Sequence, residues 1–211
     1  MPVITLQSVR EALALPDFDY AAAHLRMAPA GRQSGPPKGV QARQAGVLAL
    51  LYAEGGQLRL VLTRRTETLR GHSGQISFPG GRRDPDDESF IATALRETCE
   101  ELGVCDTDIE IIGTLSRVYI PPSNFEVFPS VGYLPEQPLF NPNPAEVAEV
   151  FSFPLDVLLD DTLKLREDWD FGGNRVPIAF YAINGYKVWG ATAAMLSELE
   201  SRLRAVLSVE G

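Results

Sequence analysis

Between Phe78 and Val104 the chain reads FPGGRRDPDDESFIATALRETCEELGV, and no other stretch narrows its possible structures as far. Pro79, Gly80 and Gly81 impose a turn, a polar loop follows, and the rest has a helical period. Asp87 and Glu88 suit the positive end of a helix dipole. Gly103 readily takes the left-handed conformation that closes a helix, so the spacing predicts a helix from Asp87 or Glu88 to Gly103. At about 100° per residue, Glu97, Glu100 and Glu101 lie on one arc, and Ile91, Ala94, Leu95, Thr98 and Leu102 on the next. One face packs and the other is acidic.

Carboxylates gathered this closely repel one another unless counter-charge sits between them. A divalent cation supplies it. Oxygen-only ligands select a hard ion, so Mg2+ or Mn2+ suits Glu97, Glu100 and Glu101 better than zinc does, and no His or Cys pair stands nearby. The same trio also reads as an ordinary solvated helix face partly compensated by Arg96. On the three acids alone both readings stay open.

The segment resembles the Nudix box, G-x5-E-x7-R-E-U-x-E-E-x-G-U with U apolar, through Glu88, Arg96, Glu97, Glu100, Glu101, Gly103 and Val104. Counted back from Glu88, the box glycine falls on Arg82, so the Gly80-Gly81 pair comes one residue early; Thr98 stands at the first U position. Upstream, Val61 to Gly81 resembles L-L-T-x-R-[SA]-x3-R-x3-G-x3-F-P-G-G, which accompanies the box in Nudix hydrolases acting on coenzyme A; only Val61 and Thr66 differ. FNPNPAEVAEVFSFPLDVL and VWGATAAML resemble later segments of that subfamily.

The resemblance implies an α/β/α sandwich with a mixed β-sheet. It further implies a metal-dependent enzyme that hydrolyses the pyrophosphate bond of coenzyme A or acyl-CoA to adenosine 3′,5′-bisphosphate and (acyl-)4′-phosphopantetheine. Glu97, Glu100 and Glu101 are then the ligands of Mg2+ or Mn2+, and Glu88 orients Arg96. The general base is Glu97 or a glutamate of a later loop, with Glu146 the first candidate and Glu126 behind it; Glu146 and Glu149 also read as strand-end surface charges. Arg65, Arg70, Gly74, Gly80 and Gly81 are the expected substrate-binding positions, since arginine forks match phosphate oxygens. Arg64, Arg82 and Arg83 flank the same segment, and His72 and Gln75 either position substrate or brace the loop. Two alternatives remain: the same chemistry on ADP-ribose or another nucleoside diphosphate derivative, and a Nudix-like CoA-binding module without turnover.

Length and charge bound the remainder. With 211 residues the chain has room for one sizeable core, and its net charge of −9 argues against a nucleic-acid partner, leaving a small-molecule substrate. No apolar run approaches bilayer-spanning length, so no membrane partner is expected, and Met1 to Arg10 lacks a signal pattern, which suggests a cytoplasmic protein. Cys99 and Cys105 read as reduced thiols. Residues 1–44 are expected to form a helical extension and loop, with helices near 5–15 and 17–27, and 45–208 the Nudix domain. His24 reads as a satisfied boundary histidine. Strands are expected at 45–52, 58–63, 109–120, 125–134, 146–153, 163–166, 175–183 and 186–189. A short helix opens at Pro154, and a final helix spans 191–207.

Overall fold

The computed structural model describes residues 3–28, 33, 35–67, 74–105 and 108–208. Its centre is β1 (Arg43–Glu54), which turns through Gly55-Gly56 into antiparallel β2 (Gln57–Arg65). Neighbours of β1 on the other side are β4 (Gly80–Arg82), antiparallel, and β7 (Phe125–Leu134), parallel. The short β3 (Ile76–Ser77) and β8 (Val147–Pro154) pair with β2, while β5 (Glu110–Thr114) and β6 (Val118–Ile120) pair with β7, giving one mixed sheet of eight strands. A second sheet of three strands is antiparallel: β9 (Lys164–Phe171), β10 (Asn174–Ile183) and β11 (Tyr186–Trp189).

The pleat of β1 sends alternate side chains into two cores. Leu48, Leu50 and Tyr52 meet Ala94, Leu102 and Val104 of the α3 (Phe90–Leu102) layer, and Ala49 and Leu51 join the larger core that includes Leu196, Leu199 and Leu203 of α4 (Gly190–Leu207). Helix, sheet, helix is the resulting layer order. Glycine sets the closest approach: a Cβ at Gly46 would sit 2.4 Å from the Phe90 carbonyl oxygen, so its absence lets α3 lie directly on β1. The N-terminal helices α1 (Leu6–Leu13) and α2 (Tyr20–Met27) pack against α4.

Several sequence expectations change. The expected strand over 109–120 is broken, because the Ser116 amide and hydroxyl turn away to donate to Glu198 on α4. The helix expected from Pro154 is a 3-10 turn, Leu155–Leu159. Cys99 and Cys105, read as free thiols, form a disulfide: the left-handed turn at Gly103 folds the chain back until their Cα atoms are 4.4 Å apart. His24 lies at a boundary, 2.8 Å from the Glu198 carboxylate.

Candidate active site

Helix α3 starts later than the acids at 87 and 88 suggested. Ser89 is its N-cap, accepting from the Ala92 amide at 3.0 Å, and Gly103, at φ 69°, closes it. Asp87 is kept off the helix by a different task. Its carboxylate takes a paired contact from Arg96, Nε to Oδ1 and Nη2 to Oδ2, both at 3.0 Å, and also accepts from the Asp84 amide and the Thr93 hydroxyl, each at 2.9 Å. These bonds, Arg96 foremost and against the opposing pull of burial, hold Asp87 well below the usual carboxylate range.

Glu88, expected to orient Arg96, is instead exposed to solvent. Asp87 takes its place for a reason of spacing: it stands six residues after Gly81, the interval the box sets between its glycine and its acid. The additional residue therefore falls between Asp87 and Arg96. Arg96 then reaches forward, donating to Glu97 at 3.0 Å, to Glu100 at 3.2 Å and to the Arg82 carbonyl at 3.1 Å. One guanidinium links the end of β4, the helix and two of the three acids.

The third acid turns the other way. Glu101 is buried, accepting from the Gly80 amide and from Arg65 Nη1, each at 3.2 Å. Gly80 and Gly81, expected in a turn, are strand residues of β4, and Glu97 lies against the second of them, its carboxyl atoms 2.4–2.5 Å from where a Cβ on Gly81 would be, while the Glu100 side chain is 53% exposed. Gly80 itself has φ 150° and sits so close to β1 that a Cβ would fall 2.6 Å from Val47 Cα, which reserves the position for glycine.

A further acid, Glu146, acts on Glu97 and Glu101 from another element. The segment 141–146 crosses the end of α3, where the Asn141 and Asn143 amides donate to the Leu102 and Glu101 carbonyls at 2.8 and 2.9 Å and satisfy the helix terminus. The Asn143 side-chain amide then donates to Glu146 Oε1 at 3.4 Å, and the Thr66 amide takes the Glu146 carbonyl at 3.0 Å. Burial pushes the Glu101 carboxyl up to about 7, moderated by Arg65 and the Gly80 amide and reinforced by the charges of Glu97 and Glu146. Glu97 is raised for the same leading reason, moderated by Arg96 and reinforced by Glu100 and Glu146. Glu126, the other late acid, pairs with Arg117 at 2.5 Å on the β6–β7 edge.

The arginines divide. Arg65 is at the acids; Arg64 pairs with Glu149 at 3.4 Å; Arg83 donates to the Asp87 carbonyl at 2.9 Å and lies over Phe90. Gly74, at φ 66°, backs onto the Glu67 carboxylate. Arg70 and His72 lie outside the described residues. Among the described residues no three His, Cys, Asp or Glu side chains converge as a ready metal cluster. The chain's own cations, Arg96 and Arg65, stand between the acids. The donor set still suits a hard divalent ion: it is all oxygen, it lies against the side-chain-free Gly80 and Gly81 of β4, and its buried Glu101 and half-buried Glu97 are raised despite those arginines. Asp87 and Asn143 were missed by sequence reasoning; the count from Gly81 was a usable signal for the first, and none existed for the second.

Residues 42–171 match the NUDIX domain family. An uncharacterized Nudix hydrolase of Photorhabdus laumondii, NudL, is 38% identical over 145 residues, covering 69% of this chain and 77% of that one. Its namesake in Pectobacterium atrosepticum is 39% identical over 163 residues, covering 75% and 82%. The mitochondrial Nudix hydrolase 15 of Arabidopsis thaliana is 33% identical over 160 residues, 73% of this chain, which spans about half of that relative (56%). In fold, the chain is similar to the crystal structure of a MutT/nudix family protein from Enterococcus faecalis, with a TM-score of 0.53, 16% identity and coverage of 98% and 81%. With the glycine pair, Arg96 hub and acidic helix face carried on a fold of this kind, the chain belongs to the Nudix hydrolase family.

Proposed function

We propose that the chain hydrolyses the pyrophosphate bond of coenzyme A or acyl-CoA, releasing adenosine 3′,5′-bisphosphate and (acyl-)4′-phosphopantetheine. The reading of a diphosphate hydrolase rests on one observation: Glu97 and Glu101 are held, partly desolvated, against Gly81 and Gly80 of β4, with Glu146 close enough to raise both. The coenzyme A substrate rests on the resemblance of Val61 to Gly81 to the motif of that subfamily.

Glu97, Glu100 and Glu101 would hold Mg2+ or Mn2+, which supplies charge neutralisation for the phosphates and acidifies water. The chain's own residues do the rest. Arg96, braced by Asp87, holds Glu97 and Glu100 in place, and Arg65 is positioned by Glu101 to face a phosphate oxygen. The absent side chain at Gly81 leaves room for the Glu97 carboxylate, and that at Gly80 lets β4 lie directly on β1. Glu146 takes the proton of the attacking water at its carboxylate, which the Asn143 side-chain amide orients.

Initial rates on coenzyme A, dephospho-coenzyme A and ADP-ribose, each with Mg2+ and with Mn2+, test the assignment. Faster turnover of coenzyme A is the expected result. A preference for ADP-ribose moves the substrate to the second class, and coenzyme A binding without hydrolysis of any of the three makes the chain a binding module.

A further inference from the structure

Strand β9 forms one edge of the three-stranded sheet, paired only with β10. Among the described residues no backbone group of another element bonds to its outer side. Leu165 and Phe171 on it are 44% and 49% exposed. An edge of eight residues with exposed apolar side chains is a template for a further strand unless its charges prevent pairing. Here the charges are ordered so as to permit it.

In KLREDWDF the cations Lys164 and Arg166 precede the anions Asp168 and Asp170, and all four share one face because side chains alternate. Leu165, Glu167, Trp169 and Phe171 share the other. If the strand is turned antiparallel to itself about Glu167, Arg166 falls opposite Asp168 of a second copy, Lys164 opposite its Asp170, and Leu165 opposite its Trp169, each contact occurring twice by symmetry. Centring the pair on Arg166 or Asp168 instead puts like charges face to face. Glu167 meets its own copy on the axis, yet its carboxylate is already held by Lys187 at 2.5 Å and by Trp169 Nε1 at 3.1 Å, so each copy brings a neutralised group.

We propose that β9 pairs antiparallel with β9 of a second copy of this chain, joining the two three-stranded sheets across a two-fold axis. Lys164 is already placed between Asp161 and Glu200, so the pair that sets the register is Arg166 with Asp168. Arg166 spends one Nη2 contact on the Arg26 carbonyl, at 3.1 Å, and keeps the remainder of its guanidinium for the partner.

Sedimentation velocity over micromolar concentrations tests this. The wild type is expected to dimerise, R166D and D168R each to weaken the dimer about ten-fold or more, and the R166D/D168R double variant, which restores every opposite-charge pair, to regain it. A wild type that stays monomeric overturns the proposal. So does a dimer indifferent to either single change, or a double variant of native circular dichroism that remains monomeric. Glu167→Cys gives an independent measure, since residues facing across the axis lie within disulfide reach. Oxidation is expected to yield a covalent dimer, and its absence at concentrations where the variant dimerises overturns the β9 pairing.

Discussion

At the scale of single residues, the site depends on which of two adjacent acids turns inward. Asp87 accepts four hydrogen bonds while Glu88 faces water. Replacing Asp87 by Asn takes the charge and one acceptor from the paired contact with Arg96, which keeps Glu97 and Glu100, and is expected to cost about 1–3 kcal/mol in urea denaturation; Glu88→Gln is expected to stay within about 0.5 kcal/mol. The pH dependence follows with a definite sign. The folded carboxyl of Asp87 is depressed relative to the unfolded one, so its contribution is fully present above the unfolded value of about 4 and is lost as pH falls below it. The wild type therefore loses stability below about pH 4 more steeply than Asp87→Asn does, and unfolding curves at a series of pH values check it. Gly81→Ala is the second test at this scale. Its new methyl must displace the Glu97 carboxylate, the end of a flexible side chain, so kcat is expected to fall on the order of 10²-fold with little change in stability.

At the scale of elements, α3 is aimed by what it rests on. Its apolar face lies on β1 at Gly46, its start is capped by Ser89, and its final carbonyls are taken up by the 141–146 segment that also carries Glu146. The obstacle to a side chain at 46 is the Phe90 backbone at 2.4 Å, which has no rotamer into which it can withdraw. Gly46→Ala is therefore expected to destabilise by about 1–3 kcal/mol through overpacking. Because the displaced helix carries the acids, activity should fall as well. Thermal unfolding and turnover measured on the same sample separate this variant from Gly81→Ala, which loses activity alone.

At the scale of the whole molecule, α4 is buried along most of its length and carries charge inside. Glu198 accepts from Ser116, Arg202 and His24, while Glu200 accepts from Tyr181 and Arg204, so the helix links the main sheet, the second sheet and the N-terminal helices through paired side chains. Burial raises the Tyr181 hydroxyl, with the Glu200 charge adding to it, so Tyr181 stays a protonated donor. Glu198→Ala leaves Arg202 without its counter-charge in the interior and is expected to cost about 3 kcal/mol. Proteolysis within residues 3–28 should accelerate in that variant, because Glu198 holds His24 directly and Arg202 reaches the Ala12 carbonyl at 3.3 Å. No helix among the described residues is long and apolar enough to cross a membrane.

What the sequence determined by itself was local. The period of Ile91, Ala94, Leu95, Thr98 and Leu102 and the stop at Gly103 are consequences of backbone geometry acting over a few residues, and they carried the acidic face, while the fold class came from the resemblance of the box and its flanking segments to a known family. Tertiary structure alone decided that Asp87 rather than Glu88 grips Arg96, because adjacent acids differ only in which direction the loop turns them. It also decided that Glu146 rather than Glu126 stands near Glu97 and Glu101, and that Cys99 meets Cys105. The run of buried ion pairs along α4 was equally invisible in a pattern of apolar residues. Each of these depends on which segments the sheet order brings together, and a charge far along the chain has no local signature until the packing has placed its partner.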